Sequence, residues 1–129
     1  MNLVHLLAVG CGAFAGAVLR WLLGLLLNPL FPSAIPLGTL VSNLGGALII
    51  GVMMGLFAHY ETLPIAWRLA ITTGFLGGLT TFSTFSAETV GLIMRQQYGW
   101  TAAIIAAHVF GSLMMTFIGL VAIRMLLRT

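Results

Sequence analysis

The chain of 129 residues has no lysine and no aspartate, and it has one cysteine. Arg20, Arg68, Arg95, Arg124, Arg128, Glu61 and Glu88 are its whole charged inventory, 5% of the residues. A soluble domain carries roughly 25% charged residues, so this chain cannot cover itself with charge in water. A net charge of +3 spread this thinly makes no nucleic-acid surface, which needs clustered Lys and Arg. Without aspartate there is no Ser-His-Asp set. A lone Cys11 excludes an internal disulfide and a multi-cysteine metal site, and it is expected to pack as a small apolar residue. The amino-terminal stretch lacks a cationic leader, and its apolar run continues past the length of a signal-peptide core. Neither a cleaved signal nor a lipoprotein signal at Cys11 is expected, and no enzyme is.

What is abundant is apolar sequence. Hydrophobic residues make up 60% of the chain and the mean hydropathy is +1.15. A spanning helix needs about 20 apolar residues, and four segments satisfy this: positions 3–27, 37–59, 65–94 and 100–127. The connection 28–36 carries Pro29, Pro32 and Pro36, which stop one helix and precede the next. The others fall at 59–64 and 95–99. Tyr60, Trp67, Tyr98 and Trp100 lie near the predicted ends, where interfacial aromatics anchor; His5 and His59 are expected there too. The expectation is an all-α membrane protein of four transmembrane helices, one membrane domain spanning residues 1–129.

Four spans would put both termini and the second connection on one side, with Arg68, Arg124 and Arg128; Arg20 and Arg95 fall on the other. Topology follows Lys/Arg asymmetry, and so small a bias admits insertion both ways round. An antiparallel homodimer, with its two-fold axis in the membrane plane, then becomes possible.

The third segment is the most informative. Residues 74–88, GFLGGLTTFSTFSAE, place two adjacent glycines, a run of Ser and Thr and two phenylalanines before Glu88, all inside an apolar stretch. Irregular backbone at membrane depth is tolerated only where protein buries it or it lines a cavity. A broken third helix is therefore expected, beside a site or pathway for a small polar species. Stripes on the other segments point to the same place. Residues four apart share a helix face. The second segment carries Thr39, Asn43, Ala47, Gly51 and Gly55 at that spacing, the fourth His108, Ser112 and Thr116, and the first Gly12, Gly16 and Arg20. The glycines and Ala47 are expected to serve helix contact. Asn43 needs partners in hydrocarbon, and Ser112 and Thr116 either bond their own helix backbone or face the second stripe. Arg20 calls for backbone carbonyls, Glu88 or an anion. Arg124 and Arg128 are expected to reach the headgroups.

This polar set is rich in donors: Thr39, Asn43, Ser83, Ser112, Thr116 and backbone N–H groups, with one carboxylate, Glu88, in the membrane. Cation pathways use carboxylate rings or carbonyl filters; donors replace the hydration shell of an anion. Phe82 and Phe85 add ring edges, the positive side of the aromatic quadrupole, whose weak contacts let an ion leave. Carbonyls at a helix break, here of Gly77 and Thr80, are in turn suited to a structural Na⁺.

Three motifs together, GxxxGAxxRW (Gly12, Gly16, Ala17, Arg20, Trp21), GTLxxN (38–43) and the run 74–88, resemble the bacterial Fluc/CrcB fluoride channels over nearly the full length. The resemblance implies a dual-topology antiparallel homodimer in the bacterial cytoplasmic membrane, with two pores and passive fluoride export that protects the cell. It implies pore roles for Asn43, Phe82, Phe85, Ser112 and Thr116, and a central Na⁺ held by the Gly77 and Thr80 carbonyls. Arg20 and Glu88 would lie near a vestibule or the pore. Some members carry tyrosine where Ile104 aligns and serine where this chain has His108, a departure that alters the polar track. The competing reading is a small dual-topology proton-coupled multidrug exporter; its class uses a carboxylate in the first helix, where this chain has Arg20. A purely structural subunit would leave the donor stripes unexplained.

Overall fold

The computed structural model describes residues 1–30 and 33–128. Those residues form helices and connections, with no strand among them. Three helices are long and apolar enough to cross a bilayer: α1 (Leu3–Leu30), α2 (Leu37–His59) and α6 (Tyr98–Leu126). Between α2 and α6 the chain is helical in pieces. α3 (Ile65–Leu69) widens into a π-helical stretch (Ala70–Leu76), tightens into α4 (Gly77–Leu79), opens at Thr80 and Thr81, and resumes as α5 (Phe82–Met94). Thr80 (φ −86°, ψ 152°) and Thr81 (φ −149°, ψ 112°) are extended. The break expected in the third segment is present, and it falls on the two threonines; the paired glycines before them remain helical.

Helix ends differ from the sequence expectation at two places. α1 runs through Pro29 to Leu30 rather than ending at position 27. A proline in a final turn forfeits one hydrogen bond, and Asn28 offsets this by accepting the Gly38 N–H on Oδ1 at 2.8 Å. That bond satisfies one of the orphan donors at the start of α2. Pro32 lies outside the described residues. α6 begins at Tyr98, two residues early, after a turn in which Gln96 adopts φ 58°. The Gln97 N–H donates to the Leu92 carbonyl and the Gln96 N–H to the Ile93 carbonyl, both at 2.9 Å, the pattern of a left-handed helix stop.

The two halves of the bundle are close backbone crossings. α1 lies on the π stretch and α4, and α2 lies on α6. A Cβ added at Gly16 would run into the Phe75 carbonyl oxygen, and one at Gly51 into that of Thr116. The small-residue stripes therefore do serve helix contact, as expected. Little is deeply buried in the single chain: Leu92, Ile104 and Ser42 are almost inaccessible, and Phe85 joins Ile35, Leu92 and Ile104 in one small cluster. Most large apolar side chains face outward, as a lipid-facing surface requires. Cys11 is exposed rather than packed.

Gly16→Leu is expected to push α1 away from the π stretch and to lower stability by about 1–3 kcal/mol, the usual cost of overpacking. Thermal unfolding in detergent, compared with Gly10→Leu where added atoms meet open space, checks this.

Candidate functional site

The break leaves backbone groups without helical partners, and the side chains around it take them up. Asn43, on α2, faces Thr81 squarely. Its Oδ1 accepts the Thr81 N–H at 2.7 Å and its Nδ2 donates to the Thr81 carbonyl at 3.1 Å. One primary amide thus replaces the strand or helix partner that Thr81 lacks. The Thr81 hydroxyl caps α5 by accepting the Thr84 N–H at 3.1 Å. Arg20 reaches from α1 to donate its Nε–H to the Gly78 carbonyl at 3.0 Å; of the three partners considered for it, the backbone carbonyl is the one found. The Thr80 hydroxyl donates to the Leu76 carbonyl at 2.8 Å.

Two carbonyls lose their ordinary donors in this arrangement. In a continuous helix the Gly77 carbonyl would receive the Thr81 N–H, and the Thr80 carbonyl the Thr84 N–H. Those amides go to Asn43 and to the Thr81 hydroxyl. Neutral carbonyl oxygens freed at a helix break are hard ligands of the kind a monovalent or divalent oxygen-seeking cation takes. Gly77 lies on the exposed side of the chain. Among the described residues no three His, Cys, Asp or Glu side chains cluster as metal ligands.

A cavity of about 590 Å³ opens beside the break, bordered by Asn43, Thr80, Phe85, His108, Ser112 and Thr116, with Phe82 and Gly77 also on its wall. Most of the sequence-predicted set therefore converges. Phe82 and Phe85 meet edge to face, with centroids 5.5 Å apart and planes at 65°. Phe85 stacks obliquely on the His108 ring at 4.6 Å. Phe85 is 8% exposed and Phe82 78%, so one ring is part of the wall and the other stands at its lip. Thr116 donates to the Ala47 carbonyl across the helix pair at 3.0 Å. It bonds neither its own helix nor another side chain, and it pins α6 to the second stripe.

Four residues fall elsewhere. Arg20 and Thr39 border a second cavity of about 310 Å³ together with Thr81 and Thr84. Glu88 borders a third with Arg95; its Oε1 accepts the Thr39 hydroxyl at 2.5 Å, while its Oε2 is buried without a partner. Ser83 is exposed, 3.3 Å from the Thr81 hydroxyl. Thr81 is common to the first two cavities. Asn43, its hydrogen-bond partner, borders the first of them. Sequence reasoning did not single out Thr81, although Thr-x-x-Thr directly after a helix-weakening Gly-Gly-Leu is a recognisable start signal.

The arrangement offers a small ion the Ser112 hydroxyl, the His108 ring and the edges of Phe82 and Phe85, beside an amide that is itself engaged with Thr81. It offers no nucleophile–base pair. The family described as CrcB-like protein, Camphor Resistance (CrcB), matches residues 7–120. A protein of Nitrosospira multiformis named "Fluoride-specific ion channel FluC" is 55% identical over 98% of both chains. Proteins of the same name from Chromobacterium violaceum (56% identical, 95% of this chain and 97% of that one) and Tolumonas auensis (52%, 98% and 99%) align as fully. These relatives are channels by name, not enzymes, and they place this chain among multi-pass membrane proteins. The chain belongs to the CrcB-like family.

Proposed function

We propose that the chain is a fluoride channel of the bacterial cytoplasmic membrane, passing fluoride down its gradient and so lowering its toxicity inside the cell. The observation that carries this reading is the convergence of Asn43, Phe82, Phe85, His108, Ser112 and Thr116 on one cavity beside the break. The relatives' name supplies the ion. Fluoride is small and strongly hydrated. The Ser112 hydroxyl and the His108 imidazole replace part of its water, and the edges of Phe82 and Phe85 add weak attraction without a fixed charge to hold it. No carboxylate lies on α1, so nothing there favours the export of cationic drugs.

The working unit in this proposal is an antiparallel homodimer of dual-topology chains, each crossing the membrane four times. Residues 65–94 make the third crossing in two pieces joined at the break. Phe82 at the cavity lip and the apolar outer faces suit a second copy, which would close the open side into a pore. Na⁺ at the two-fold axis would be held by the Gly77 and Thr80 carbonyls of both chains, where it would give those oxygens a partner and join the copies.

Fluoride efflux from liposomes into a fluoride electrode is the direct test. Flux is expected without a proton gradient. Phe82→Ile removes one ring edge and the edge-to-face pair with Phe85, a pair worth about 0.5–1.5 kcal/mol, and is expected to slow flux roughly tenfold. Asn43→Ala orphans both Thr81 backbone groups, at about 1–3 kcal/mol each, and is expected to slow it further. Both variants are expected to elute as dimers; unchanged flux in both removes the pore assignment. Separately, exchanging Na⁺ for a bulky organic cation is expected to weaken dimerisation, measured by size-exclusion chromatography.

A further inference from the structure

We infer that His108 is a positioning residue whose neutral state holds the Asn43 clasp, so that protonating this one imidazole shuts the pathway. The inference rests on the fluoride-channel reading for its flux readout and on hydrogen-bond logic for the rest.

The logic starts at Thr81. Its N–H can only donate and its carbonyl can only accept, so the Asn43 amide has one orientation that satisfies both: Oδ1 toward the N–H, Nδ2 toward the carbonyl. The second hydrogen of that same Nδ2 points to His108 Nδ1 at 3.1 Å. Nδ1 must therefore accept, and the imidazole is neutral with its proton on Nε2. His108 is 4% exposed, and its ring is held against Phe85 at 4.6 Å, which leaves it little freedom to turn the other nitrogen toward Asn43. Nε2 is itself buried without a partner.

A second proton on the ring would place Nδ1–H against the Asn43 NH₂, two donors face to face. Flipping the amide does not help, because it sets Oδ1 against the Thr81 carbonyl and NH₂ against the Thr81 N–H. Either the His108 contact breaks or the clasp on Thr81 does. A broken clasp leaves the Thr81 backbone groups, on the wall of both cavities, without their partners, and an imidazolium on the cavity wall would also hold an anion as a fixed cation. Both consequences slow passage.

Other charged groups near this layer are few. α5 brings Glu88, one turn beyond Phe85 and tied to Thr39. α1 brings Arg20, engaged with the Gly78 carbonyl. α3 brings Arg68, which donates to the Tyr60 and Glu61 carbonyls. The π stretch and α4 bring none, α2 none before His59, and α6 none before Arg124.

Fluoride efflux from liposomes at symmetric pH, corrected with protein-free vesicles, is to be compared at about pH 7.5 and about pH 4.5, the acid value chosen to charge an imidazole that burial keeps neutral through the ordinary range. The native chain is expected to lose flux by about tenfold at the acid value, the loss of one hydrogen bond's worth of positioning. His108→Asn puts an untitratable oxygen at the same number of bonds from the backbone. It is expected to conduct with an acid-to-neutral ratio near one, whereas His108→Leu conducts poorly at both. Nitrogen-15 NMR of histidine-labelled native protein is expected to show His108 as the Nε2–H tautomer at neutral pH. Equal native flux at both values, an acid decline that survives in His108→Asn, or an Nδ1–H tautomer overturns the inference and leaves the fluoride reading standing. Absence of native flux at about pH 7.5 removes that reading instead, and the tautomer measurement then decides the His108–Asn43 contact by itself.

Discussion

One side-chain amide holds the centre of this protein together. A helix cannot be opened inside a bilayer unless the freed backbone groups find partners within the protein. Asn43 supplies them for Thr81, donor and acceptor at once. The remaining supports follow from it. Thr81, fixed in the extended state, can cap α5. Arg20 is left to serve the Gly78 carbonyl, and the Gly77 and Thr80 carbonyls are released. Without the clasp, the Thr81 N–H and carbonyl would be left without partners beside the cavity.

The packing serves the same end. Glycine-lined crossings bring α1 against the π stretch and α2 against α6 at backbone distance. Only such close approach lets Asn43 on α2 span to Thr81, and Arg20 on α1 to Gly78. The widened turns of the π stretch lie just ahead of the break, where the chain departs from regular α-helix. Function and stability thus draw on the same contacts: the bonds that make the break tolerable also decide which polar groups remain free for an ion.

Much of this was legible in the sequence, for physical reasons. Long apolar runs between Pro-rich or polar connections announce bilayer helices, and α2 came out at its expected bounds. The Gly-Gly-Leu-Thr-Thr run announced a break, and i+4 spacing put Asn43 on one stripe and His108, Ser112 and Thr116 on another. What could not be read was the hydrogen-bond assignment. Asn43 looked like a lining donor, yet both of its polar atoms are engaged with Thr81, and its second N–H goes to His108. Thr116 was left between its own helix and the second stripe, and it takes the second, donating to the Ala47 carbonyl. Periodicity tells which residues share a face; it does not tell which backbone group across the gap lacks a partner. The end of α1 was misjudged for a related reason. Pro29 signals a stop by itself, and only the distant bond from Gly38 to Asn28 reveals why the helix continues.

In the proposed reading, fluoride crosses through the cavity beside the Asn43 clasp. Planar-bilayer recording puts this to the test, with purified chain between solutions of unequal fluoride and oppositely unequal chloride. A steady current that reverses at the equilibrium potential of fluoride is expected. A silent bilayer, or a reversal at the chloride potential, overturns the proposal.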